Sequence, residues 1–148
     1  MIDAFPINSY NDYNFDGYKD ICIFNNNFKN PEKSKTGFYY LYDKNKQKYI
    51  IEKQLEYLDI TSVCKKDKVL KALQSEYEDL SVYKSNPKII HSVLRTYKWV
   101  NNSLKEIESI EEKELSHNNY KIKKVNIEKN EIKVFKSKKS IISNINCR

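Results

Sequence analysis

At 148 residues the chain has the length of one domain, and 39% hydrophobic residues with only two Gly and three Pro exclude a linker or a disordered segment. Its net charge of +7 is built from 25 Lys against only Arg95 and Arg148. Arginine is the side chain whose planar fork reads phosphates and base edges, so the charge predicts no nucleic-acid partner and instead favours attraction to acidic protein surfaces.

No apolar run approaches the roughly 20 residues that cross a bilayer as a helix, so no membrane span is expected. Met1-Ile2-Asp3-Ala4 shows neither the basic start nor the apolar core of an export signal. The start of the chain is therefore read either as that of a cytosolic protein or as that of the mature form of an exported one.

In chain order, the first informative segment is Asp12-Tyr13-Asn14-Phe15-Asp16-Gly17-Tyr18-Lys19-Asp20. Oxygen-bearing side chains fall at loop positions 1, 3, 5 and 9, and the carbonyl of Tyr18 at position 7, the order in which a calcium loop presents its ligands. Gly17 permits the sharp turn at position 6. Asp12, Asn14, Asp16, Asp20 and the Tyr18 carbonyl are therefore the expected Ca2+ ligands. Asn, Asp and Gly also make ordinary surface turns, and that is the plain alternative. An EF-hand would need a bidentate Glu at position 12, where Ile23 stands, and Ile21-Cys22-Ile23-Phe24 is a strand sequence, not a helix start.

The loop 25–35 is polar. Gly37 then opens Phe38-Tyr39-Tyr40-Leu41-Tyr42, a strand apolar on both faces, and Asp43-Lys44-Asn45-Lys46 turns it into Lys48-Tyr49-Ile50-Ile51. Further strands are predicted over 69–73, 76–83 and 89–100. Ser103 with Glu106 forms a capping box, and Leu104, Ile107 and Ile110 share one helical face, so a short helix is expected near 106–115. Val125–Ile127 and Ile132–Val134, around Glu128-Lys129-Asn130-Glu131, predict a hairpin with one buried face. The fold class is therefore all-β, a single antiparallel sandwich or small propeller-like domain over 1–135. A polar tail over 136–148 is expected to fray.

The calcium-type loop feeding an apolar strand resembles that of FG-GAP (integrin-type) repeats. With Tyr39-Tyr40-Leu41-Tyr42-Asp43 and Tyr97-Lys98-Trp99-Val100-Asn101-Asn102-Ser103-Leu104, it is similar to a family of small bacterial envelope proteins that carry one such loop. The resemblance spans about residues 8–108. It departs from the family at the turn, which there usually reads Asn-Gly and here reads Asn101-Asn102. Members resemble periplasmic lysozyme inhibitors and immunity proteins against peptidoglycan hydrolases. The resemblance thus implies a periplasmic or envelope location and a protein partner, a cell-wall hydrolase or other secreted effector. Thr36-Gly37-Phe38-Tyr39-Tyr40 echoes the Ser/Thr-Gly-x-x-Tyr loop of the lysozyme inhibitors, which implies that Thr36, Gly37, Tyr39 and Tyr40 contact the partner.

No catalytic constellation accompanies these features. His91 and His117 stand in unrelated contexts, and neither a nucleophile elbow nor a phosphate loop is present. Cys64 with His91 is the one conceivable thiol–base pair. The chain is expected not to be an enzyme, and a structural or adhesion-type calcium module is the alternative to an inhibitor. Cys22, Cys64 and Cys147 have no metal-type spacing, and nothing in the sequence selects a disulfide pair.

Overall fold

The computed structural model describes residues 8–24, 35–77, 89–145 and 147. The described residues are all-β, in two antiparallel sheets of four and six strands, and no α-helix occurs among them. The chain groups into two compact units, residues 1–59 and 60–148, where one domain over 1–135 was expected.

The first unit is a meander of β1 (Asn8–Asn11), β2 (Asp20–Phe24), β3 (Gly37–Asp43) and β4 (Lys48–Ile51), in that spatial order. Its core gathers Tyr13, Cys22, Tyr39 and Leu55, all buried. The Tyr13 and Tyr39 rings meet edge to face with centroids 5.1 Å apart, the arrangement that ring quadrupoles favour. Gly37 is required by close approach: a Cβ there would lie 3.0 Å from Cys22 Sγ and 3.1 Å from the Ile23 carbonyl. The predicted turn after β3 is made by Asp43, whose Oδ1 accepts from the backbone N–H groups of Asn45 and Lys46.

The second unit is a six-stranded sheet in the order β10-β9-β8-β7-β6-β5, where β5 is Ile60–Cys64, β6 Val69–Tyr77, β7 Ile89–Val100, β8 Ser103–Ser116, β9 Asn119–Asn126 and β10 Glu131–Ser137. The strand expected over 76–83 is described only as far as Tyr77, as the end of β6; the remainder lies outside the described residues, as does most of the loop 25–35.

The helix expected near 106–115 is the strand β8, paired with β7 on one side and β9 on the other. Asn101 and Asn102 both adopt positive φ, 50° and 63°, the geometry of a two-residue hairpin turn whose twist matches the flanking strands. That turn places Ser103 opposite Val100 in the ladder, so Ser103 cannot cap a helix. Ile107, one of the three residues that suggested a helical face, falls where the register slips between the Thr96–Glu108 and Tyr97–Glu106 pairs. Hydrogen bonding to two neighbours outweighs a modest local propensity.

One face of this sheet is read directly from the pairing register. Cys64, Val69, Ser92, Leu94, Thr96, Ile110, Glu112 and Ile122 are all buried and share it. The chain end expected to fray runs over the same face. Ser140 Oγ and the Ile141 N–H donate to the two oxygens of Glu112, at 2.7 and 2.6 Å, and Cys147 is disulfide-bonded to Cys64. Leaving β10 at one edge, touching β8 and ending on β5 at the other edge, residues 138–145 with Cys147 form a strap across the sheet.

Candidate functional site

The loop between β1 and β2 folds onto its own acidic side chains. Asp12 Oδ1 accepts from the Asp16 N–H at 3.1 Å and Oδ2 from the Gly17 N–H at 2.8 Å. Asp16 Oδ1 accepts from the Tyr18 N–H at 3.0 Å, and its Oδ2 from Asn14 Nδ2 at 3.1 Å. Gly17 takes φ +91°, a conformation that a side chain would strain, and Phe15 sits at φ 59°. These bonds coil nine residues tightly enough to bring Asp12 and Asp16 within electrostatic reach of Asp20.

Asp20 differs from the other two. It is fully buried at the start of β2. Its Oδ2 accepts from the Tyr13 N–H and its Oδ1 from the Tyr42 N–H, each at 2.9 Å. The β2–β3 ladder stops at the Ile21–Tyr40 pair, so this carboxylate continues the pairing where the backbone cannot. Desolvation pushes its pKa up to about 6 from an ordinary 3.8; the two amide donors oppose the rise, and the charges of Asp16 and Asp12 add to it. A raised carboxyl pKa means that the folded state holds the proton more tightly. In calcium-free buffer, Asp20 should therefore stabilise the fold most below about pH 4, and this contribution should disappear as pH rises through 6. Urea midpoints at pH 5 and 7 in EDTA should reveal it as a difference between the wild type and Asp20→Asn.

The donor set suits a hard cation: three carboxylates, the Asn14 amide oxygen and the Tyr18 carbonyl. Asn14 Oδ1 is buried and accepts no hydrogen bond, and each carboxylate oxygen retains a second lone pair. The residue types of the loop are those of a calcium loop, but its Asp12 and Asp16 carboxylates accept from the loop's own amides. No group of three or more His, Cys, Asp or Glu side chains is arranged to hold a metal ion among the described residues.

The segment 36–40, expected as a partner-binding loop, is the start of an interior strand. Thr36 Oγ1 donates to the carbonyls of Leu58 and Glu56, Gly37 is buried against Cys22, and Tyr39 is 1% exposed with its OH donating to the Leu58 carbonyl. Tyr40 alone of the aromatic pair is half-buried. A side chain locked in the core cannot plug a cleft, so the role given to Tyr39 is withdrawn. The supposed thiol–base pair is also removed: Cys64 is oxidised, and His91 lies between Glu111 (2.9 Å) and Glu76 (3.6 Å) on the sheet. Three features escaped the sequence reading: the Asp20 staple to Tyr42, the Cys64–Cys147 pair and the strap on Glu112. The first two need only a residue distant in sequence, which spacing alone does not supply.

No protein-family model matches the chain, and no curated protein matches it. Among solved structures it is similar to a Xanthomonas type IV secretion system related protein, at 16% identity and a TM-score of 0.53, over 86% of this chain and 57% of that one. The chain thus spans little more than half the length of that protein, and at such identity the likeness is one of fold.

Proposed function

We propose that the chain is a non-catalytic, calcium-stabilised β-protein of the bacterial envelope that binds and inhibits a protein partner, a secreted cell-wall hydrolase or comparable effector. The observation that carries this reading is the 12–20 loop, five oxygen donors coiled between two strands and anchored by Asp20 to a third. A cation there would neutralise carboxylates that otherwise repel one another and would hold β1, β2 and β3 in register. The disulfide supports an oxidising compartment, where such bonds persist. The fold likeness to a type IV secretion system related protein is in keeping with a secretion-related setting. The Asp20 staple, whose visible work is structural, favours a second reading: a calcium module without inhibitory activity.

Two measurements test this. Calcium at 100-fold its dissociation constant should raise unfolding free energy by about 2.7 kcal/mol, since it binds only the folded state. EDTA and Asp16→Ala should each abolish the gain. Identical melting curves in calcium and EDTA would mean that the loop is only a turn. The second measurement mixes the protein with candidate hydrolases, above all one encoded beside it, and follows cell-wall lysis. Stoichiometric inhibition without turnover is expected; absence of any complex or inhibition would leave the structural module.

A further inference from the structure

We propose that β10 is the docking edge of this protein, taking an extended acidic segment of a protein partner as a seventh strand of the larger sheet. The proposal rests on the protein-binding reading above and assigns it a surface. Strand β10 closes the sheet and pairs only with β9, through seven consecutive residues without a bulge. Every side chain from Glu131 to Lys136 is exposed, including Ile132 at 65% and Val134 at 57%. An unbulged, partly apolar edge with an open row of N–H and C=O groups is a template for strand addition, and folded proteins normally shorten, bulge or cover such edges. The other edges are managed in that way. Strands β1 and β4 have four residues each, while β5 carries a register shift between Ile60 and Ser62 and is fastened at Cys64.

Charge selects the occupant. Residues 119–139 hold eight lysines and two glutamates, a local net of +6 out of the chain's +7. None of the ion pairs among the described residues engages these lysines. A second copy of the same edge would bring a like charge against it, so self-addition is opposed, whereas an acidic strand is drawn in. Beside β10 an open cleft of about 230 Å³ is lined by Lys124, Lys129 and Lys133, with Glu108 and Glu131. One carboxylate of the incoming strand can be received there. A lipid surface would meet the lysines but would leave the backbone edge without partners, which is why a peptide is favoured.

The test uses the intact, oxidised, ¹⁵N-labelled protein and a synthetic peptide of alternating Glu and Val or Ile. Exchange of the outward-pointing β10 amides should slow by at least about tenfold, with those bonded to β9 unchanged. Lys133→Glu with Lys136→Glu, both exposed, should weaken binding by more than about tenfold, and a Lys/Val peptide should not bind. Protection elsewhere or nowhere overturns the proposal. So does perturbation of β10 by phosphatidylglycerol vesicles but not by peptide, and so does a dimer joined through β10. Peptide binding on β10 by a protein that inhibits no hydrolase would retire the inhibitor reading and keep the edge. Inhibition unchanged in the double variant would do the reverse.

Discussion

Replacing Cys147 with serine should lower the unfolding free energy by about 4–5 kcal/mol, the chain-entropy value for a loop of this size. The bond joins residues 83 apart in sequence, so the unfolded chain regains much freedom when it is cut. The folded state loses as well. The strap donates two hydrogen bonds to Glu112, a carboxylate only 8% exposed among Leu94, Ile110 and Ile122. A strap no longer fastened at its end would leave that charge intermittently unpaired, which is costly on a buried face. Thermal melts with and without a thiol reductant should reproduce the variant in the wild type, while Cys22→Ser, which removes the free buried thiol, should not change the response to reductant. If the wild type, shown by mass to be reduced, melts as the oxidised protein does, the strap contributes nothing.

The second large effect is at Asp20. Asp20→Ala should cost about 3–5 kcal/mol, because two N–H groups, of Tyr13 (buried) and Tyr42 (part-buried), lose their acceptor at once and each unsatisfied donor costs about 1–3 kcal/mol. Asp20→Asn keeps a carbonyl oxygen for one of them, and roughly half the loss is expected. Asp12→Ala releases only exposed loop amides and should cost much less in EDTA. All three should abolish the calcium-dependent rise in stability. The separation lies in the metal-free melts, and equal losses for Asp12→Ala and Asp20→Ala in EDTA would remove the staple from this account.

Local sequence was informative wherever a local force sets the structure. Alternation and aromatic runs marked β2, β3 and β7, where a half-buried pleat imposes period two. The β9–β10 hairpin was legible from its turn, but the buried face expected of that hairpin is missing on β10, whose side chains from Glu131 to Lys136 are all exposed. The Asp12–Asp20 loop was legible because its hydrogen bonds close within nine residues. Side chains at 103–116 suited a helix as well as a strand, and the choice fell to bonds with β7 and β9 that no window of that sequence contains. Phe38 to Tyr42 read correctly as a strand, and only the resemblance made a partner-binding loop of residues 36–40; the close fit of Gly37 on Cys22 and the burial of Tyr39 belong to the strand.

By itself, then, the sequence determined the all-β class and the acidic loop, both properties of residues near one another along the chain. Only the tertiary structure decided which cysteines pair, that Asp20 joins β2 to β3 through Tyr42, that residues 138–145 with Cys147 cross the sheet, and that the lysines flank an open strand edge. Each of these joins residues far apart in sequence, and such contacts form only after the backbone ladders have fixed the register.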